Sequence, residues 1–275
     1  MKKLILSIFF LLFVQTACFA LNSSIKFVQV TDSHFDTKNP NSVKVLEQTV
    51  KDINSLSDIS FVVFTGDNLN KPEAEDLDDF IKIINKLDAP YYLVIGNHDV
   101  FKSRNLSKER YNEIVRENNL FWFKRKWNYT FKKKGYTFIV VDGAKEIIPG
   151  PVGYYRADTL AWLDKELSKN KKNPVIIFQH YPIIDAPEFG ESRLKTHRTY
   201  QPEKYFEVLE KHDNVISIIS GHFHINSEVM QNGVYHISTP TLLSSPPVYK
   251  IIDIVSKDGL SPIIYTQLKE VEIEE

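Results

Sequence analysis

Five apolar runs in this chain each end on residues able to bind a metal ion. Lys26–Thr31 leads into Asp32–Ser33–His34, Ile59–Thr65 into Gly66–Asp67–Asn68, and Tyr91–Ile95 into Gly96–Asn97–His98–Asp99. Val175–Phe178 leads into Gln179–His180, and Val215–Ile219 into Gly221–His222–Phe223–His224. Short apolar runs closed by glycine and polar residues read as buried strands. Helical stripes lie between them: Val43, Leu46, Val50 and Ile53 behind Ser42 as N-cap, then Leu77, Phe80, Ile81, Ile84 and Leu87. Tyr111, Ile114 and Val115 give a helical patch, Leu160, Leu163 and Leu167 a further stripe, and Pro202–Leu209 a helix opened by proline. Such alternation calls for an α/β fold. Antiparallel hairpins join it: Trp127, Tyr129 and Phe131 returning through Tyr136–Val141, Glu228–Met230 with Val234–Ser238, and Tyr249–Val255 with Pro262–Leu268. Mixed sheets in one domain, about 24–270, follow, with no linker and no internal repeat.

Ligands of α/β sheets bind beyond the carboxyl ends of the strands. Segments remote in sequence would therefore meet at one crevice. Five of the eight histidines (His34, His98, His180, His222, His224) sit at these strand ends. In an extended segment residues i and i+2 project to one side, so Asp32 with His34, and His222 with His224, each offer two donors. Glycines 66, 96 and 221 would let the backbone turn before the key residues. Taken singly, Asp32 and Asp67 suit turns and His180 suits a satisfied core position. The ordered set of five carries the metal reading.

Composition narrows the chemistry. One cysteine, Cys18, excludes a disulfide framework, an iron–sulfur site and a cysteine-rich zinc module. A net charge of −1 gives no electrostatic case for duplex nucleic acid. Met1–Lys2–Lys3, the apolar Leu4–Val14 and the small residues Ala17, Cys18 and Ala20 have the layout of a signal peptide, residues 1–20. The run is too short for the roughly 20 residues of a spanning helix, so no transmembrane segment is expected after its removal. The expectation is export, to the periplasm or outside, with cleavage after Ala20. Lipid attachment at Cys18 and an uncleaved anchor are the alternatives.

The ordered set D-x-H, G-D, G-N-H-D, H and G-H-x-H resembles the calcineurin-like metallophosphoesterases. Within them it is most similar to the compact single-domain branch that includes bacterial cyclic-nucleotide phosphodiesterases, over roughly residues 25–240. D-x-H departs from the D-x-G of purple acid phosphatases, and Asn70 stands where their colour-giving tyrosine would be. The resemblance implies a four-layer α/β/β/α sandwich with two mixed sheets. It implies two metal ions (Mn, Fe or Zn), one held by Asp32, His34 and His224, the other by Asn97, His180 and His222, with Asp67 bridging. It further implies in-line attack on phosphorus by a metal-bridging hydroxide, with His98 beside the phosphate and Asp99 orienting its ring.

The substrate is expected to be a small phosphoester, such as a nucleotide, sugar phosphate or lipid head group; monoester and diester stay open. Export argues against a regulator of intracellular cyclic AMP. Arg193, His197 and Arg198 occupy a polar loop that either contacts substrate or is simply solvated. Gly153–Arg156 either lines the cleft or is structural, and His236 reads as structural. The aromatic and basic residues from Phe121 to Lys134 read as a hairpin rather than a nucleic-acid or membrane patch. Two other readings are a non-catalytic envelope binding protein retaining the fold, and a zinc amidohydrolase-type hydrolase. The first would show a missing ligand. The second would place H-x-H on the first strand of an eight-stranded barrel, whereas here it comes last.

Overall fold

A computed structural model describes residues 23–119, 126–186, 188, 190, 196–258 and 260–273. The expected signal peptide, Cys18 and Arg193 lie outside the described residues, as does part of the Phe121–Lys134 run.

The first half builds β1 (Ser23–Val30), α1 (Pro40–Asn54), β2 (Val62–Phe64), α2 (Ala74–Ile84), β3 (Tyr91–Leu93) and α3 (Lys108–Asn118). Next come β4 (Tyr129–Lys133), β5 (Tyr136–Val140), α4 (Ala157–Lys169), β6 (Val175–Phe178), α5 (Glu203–Leu209) and β7 (Val215–Ser220). Four strands close the chain: β8 (Ser227–Gln231), β9 (Val234–Ser238), β10 (Val248–Ser256) and β11 (Ile263–Glu270). One sheet has the order β11-β10-β1-β2-β3, the other β4-β5-β6-β7-β9-β8. In the first, β1, β2 and β3 are parallel and β10 and β11 antiparallel. In the second, β5, β6, β7 and β9 are parallel and β4 and β8 antiparallel.

Both sheets are therefore mixed, and they pack face to face through aromatic rings. Phe27 of β1 stacks on Phe61 at 4.7 Å and meets Phe138 and Phe178 of the other sheet edge-on. Tyr92 of β3 stacks on Phe131 of β4 at 3.5 Å. Phe131, half-buried, thereby packs against the core, as the hairpin reading of that segment requires. Parallel connections need crossover helices, and the inner faces are taken, so α1–α3 cover one outer face and α4 and α5 the other. Strands VVF and VIIF are buried throughout, as strands covered on both faces are. The layers are helices, sheet, sheet, helices, the α/β/β/α sandwich expected.

One boundary differs from the sequence reading. Helix α1 begins at Pro40, and Asn39 rather than Ser42 caps it, accepting from the Asn41 amide at 3.1 Å. Proline at the first turn loses no hydrogen bond. Ser42 is instead buried, its Oγ donating to the Asp36 and Asn39 carbonyls.

Candidate metal centre

The five strand ends meet at one rim between the sheets. Asp32, His34 and His224 bring one ligand atom each within 4.8 Å of one another, and so do Asp67, His180 and His222. His34, Asp67 and His98 form a third such group, so Asp67 lies between the other two. The sets named from the sequence are thus neighbours, although Asp32 and His224 are 192 residues apart.

The local geometry is not that of extended strands. Asp32 (φ 51°), His34 (41°), Asp67 (49°), His222 (69°) and His224 (56°) all have left-handed backbone. Non-glycine residues rarely adopt it, Asp and His more readily than most, and such strain collects at functional sites. Both members of each i, i+2 pair are left-handed around a residue that is not. Two of the glycines also serve otherwise than expected. Of Gly66, Gly96 and Gly221, Gly66 alone has positive φ, at 92°. A β-carbon on Gly96 would lie 2.2 Å from Asp67 Oδ1, and one on Gly221 would lie 2.0 Å from Thr31 Oγ1 and 2.5 Å from Asp32 Oδ2. Those glycines make room for the carboxylates.

Backbone and neighbouring groups aim the side chains. Asp32 Oδ2 accepts the Thr31 hydroxyl at 2.7 Å and the His222 amide at 3.0 Å, while Oδ1 lies 3.1 Å from His224 Nε2. His180 Nδ1 donates to the Thr65 carbonyl at 2.9 Å, which leaves Nε2 facing Asp67 Oδ2 at 3.3 Å. Such an outer hydrogen bond fixes the tautomer of a metal-binding imidazole. Burial pushes the Asp67 carboxyl upward, but positive charge on His180, His98 and His34 outweighs this and holds it far below the usual range. Burial is likewise overcome at Asp32 by its bond to His224 and the charge of His180. Burial pushes His222 down to about 3, keeping the ring neutral.

The residues fit metal ions. Asn97 Oδ1 and His222 Nε2 are buried and have no hydrogen-bond partner, and His180 Nε2 faces only the Asp67 carboxylate. An unsatisfied buried acceptor costs roughly 1–3 kcal/mol, and a cation bound by lone pairs removes that cost. Mixed nitrogen and oxygen donors suit Mn, Fe or Zn.

His98 and Asp99 correct one expectation. His98 Nδ1 donates to the Asn70 carbonyl at 2.8 Å, so Asn70 sets the ring. Asp99 is fully buried and accepts the Gly96 amide at 2.7 Å, the Leu69 amide at 3.0 Å and Asn68 Nδ2 at 3.1 Å. It braces the G-N-H-D loop instead of orienting His98. Burial and the charge of Asp67 push its carboxyl up to about 7. No residue pattern marks Asn70 for this role, because a backbone carbonyl carries no residue signature. Thr31 and Asn68 were missed too, although both adjoin the motifs.

The loop candidates separate. The His197 ring lies 5.5 Å from that of His222, at the edge of the centre. Arg198 points elsewhere: its guanidinium forms a two-pronged pair with Asp185. Tyr155 is buried, donating to the Tyr181 carbonyl at 2.7 Å. His236 is buried on β9.

Comparison with known proteins points to one family. A model of the family "calcineurin-like phosphoesterase" matches residues 25–226. A probable glycerophosphodiester phosphodiesterase of Arcobacter nitrofigilis is 24% identical over 246 residues, covering 86% of this chain and 84% of that protein. A 3′,5′-cyclic adenosine monophosphate phosphodiesterase of Vibrio vulnificus is 23% identical over 227 residues, 80% of this chain and 77% of that one. The crystal structure of a dimetal phosphatase from Danio rerio superposes with a TM-score of 0.63 at 16% identity, covering 88% of this chain and 98% of its own. A purple acid phosphatase from yellow lupin gives 0.63 at 14% identity, over 94% of this chain and 54% of its own. With the family match spanning most of the sequence, the chain belongs to the calcineurin-like phosphoesterase family and is a two-metal phosphoester hydrolase.

Proposed function

We propose that the chain is an exported hydrolase of small phosphodiesters. Asp32, His34 and His224 would hold one ion and Asn97, His180 and His222 the other, with Asp67 shared between the two sets. The observation that carries the assignment is the meeting of Asp67, His180 and His222 at one point, with Nε2 of His222 buried and without a hydrogen-bond partner there. The names of the Arcobacter and Vibrio relatives favour a diester. The leader-like residues 1–20 favour action outside the cytoplasm. Among the described residues no helix is long and apolar enough to cross a membrane.

When bound, the two ions supply positive charge to the phosphoryl oxygens and activate water. The protein does the rest. Asp32 and Asp67 stay ionised, and Asn97 adds an oxygen donor without a negative charge that would repel the substrate. His98, held through Nδ1 by Asn70, presents Nε2 beside His34, the two rings 4.8 Å apart. As water adds to phosphorus and the ester P–O bond breaks, His98 gives its Nε2 proton to the departing oxygen. His197 flanks His222 at the rim and serves substrate binding.

The test is metal content and hydrolysis of bis(p-nitrophenyl) phosphate and p-nitrophenyl phosphate with Mn, Fe, Zn or Mg. Two ions per chain and turnover of the diester are expected. A protein that binds no ion, or that cleaves neither ester with any of the four, rules the reading out. Fractionation of the producing cells, with the mature N-terminus identified, tests export.

A further inference from the structure

Strand β1 carries one amide side chain in its core-facing row. Ile25, Phe27 and Gln29 alternate along the strand and face the second sheet, where Phe27 meets Phe138 and Phe178. Gln29 is fully buried. Its amide has two N–H donors and a carbonyl acceptor, and burial makes each of them costly to leave unpaired. All three are used. Nε2 donates to Thr65 Oγ1 at 2.9 Å and to the Ser220 carbonyl at 2.9 Å, and Oε1 accepts the Thr239 hydroxyl at 2.6 Å. The Ser220 carbonyl can only accept, which fixes the way round that the amide lies.

Each partner stands next to the metal set. Thr65 lies just before Gly66 and Asp67, and its carbonyl accepts His180 Nδ1 at 2.9 Å. Ser220 ends β7 just before Gly221 and His222, and the Gly221 amide donates to the His180 carbonyl at 3.0 Å. Thr239 follows β9, and close behind it Thr241 Oγ1 donates to the Asp32 carbonyl at 2.7 Å. The three bonds of Gln29 span 36, 191 and 210 residues. One side chain thus joins β1, β2, β7 and β9, from both sheets, behind the candidate metal centre. The fit there is close: a β-carbon on Gly66 would lie 2.6 Å from His180 Nδ1.

We propose that Gln29 is a positioning residue for the metal centre: its amide locks the ends of β2 and β7 against each other and so sets where Asp67, His180 and His222 meet. The proposal rests on the metal assignment above and extends it to a residue outside the ligand set. Packing alone does not call for an amide. Ile25 and Phe27 show that this row takes apolar side chains, and methionine would match glutamine in shape with no polar group to satisfy. What methionine lacks is direction. Three hydrogen bonds, each with its own preferred angle, hold the two sheets in one relative position. A neutral group also suits the place. Glutamate there would lose both donations and add a buried carboxylate behind Asp32 and Asp67, which like charge disfavours.

The test is Mn binding to the full chain, followed by electron paramagnetic resonance, in which two ions coupled through a shared ligand give a signal distinct from that of free or single Mn. In the unaltered chain the coupled signal should saturate at two ions per chain. Gln29→Met, at a temperature where circular dichroism shows it folded, should need about 10–100-fold more free Mn for the same signal, the usual cost of losing a group that orients a metal ligand. Thr239→Val removes the bond to Oε1 alone and should raise the requirement about fivefold, the worth of one hydrogen bond. Thr239→Ser keeps the hydroxyl and should restore it. That pair decides the matter where Gln29→Met does not fold. A coupled signal at the same Mn concentration in Gln29→Met as in the unaltered chain, whatever the change in Tm, reduces Gln29 to core packing and overturns the proposal. Equal Mn binding by Thr239→Val and Thr239→Ser overturns it too. In both cases the unaltered chain still binds its two ions, whereas a chain that shows no coupled signal ends the metal assignment and the proposal together.

Discussion

The backbone amide of His98 donates to Asp67 Oδ1 at 2.8 Å. The carboxylate shared by two of the candidate ligand groups therefore also fixes the start of the residue proposed to act on the substrate. Strand β2 and the loop after β3 are tied at the point where the chemistry is expected.

Asp67→Asn keeps the shape of this side chain and removes its charge. The variant should lose metal at both positions, and turnover should fall by about three orders of magnitude or more, the scale seen when a group central to transition-state charge is removed. Two ions per chain and near-normal turnover would end the bridging assignment.

Asp99→Ala separates a brace from an orienting group. Three donors converge on this buried carboxylate. Their loss should destabilise the fold by about 2–4 kcal/mol, because buried N–H groups are left unpaired. Thermal unfolding and metal affinity should both drop. A variant of unchanged stability and metal affinity, slow only in turnover, would return Asp99 to the role of orienting His98.

Much of this centre could be read in the sequence, for a physical reason. Metal binding needs particular side-chain types, and a parallel sheet puts strand ends side by side, so apolar runs ending in Asp, Asn or His identify one rim. The orientation of the groups could not be read in the same way. His98 and His180 are held by the carbonyls of Asn70 and Thr65, groups that every residue possesses. The left-handed backbone at Asp32, His34, Asp67, His222 and His224 is a property of the assembled loops. Gly96 and Gly221 announced a turn, yet their role is clearance from carboxylates brought in by other strands. Arg198 looked available until folding placed Asp185 against it.

His98→Ala tests the assignment of the proton donor. The ring is half-buried and anchored by Asn70, and its removal leaves the backbone amide that donates to Asp67 in place. Metal content should stay at two ions while kcat falls about 10²–10⁴-fold, the range of general acid catalysis. The loss should be steepest for esters whose leaving alcohol has a high pKa. A uniform loss across leaving groups would sink the proton-donor role, and loss of an ion would make His98 a ligand.

His236 should make the fold sensitive to mild acid. Burial on β9 pushes its pKa down to about 4 from an ordinary 6.5. The unfolded chain therefore takes up the proton first. Its contribution is complete above about pH 6.5 and is lost as the pH falls from there toward 4. Between pH 7.5 and pH 5 the loss amounts to about 2 kcal/mol. Urea unfolding at both pH values, with metal held constant, is compared for the unaltered chain and His236→Gln. The metal-binding histidines titrate in both proteins, so the difference in slope isolates His236. The variant should lose less stability on acidification, and identical losses in the two proteins would remove His236 as a source of acid sensitivity.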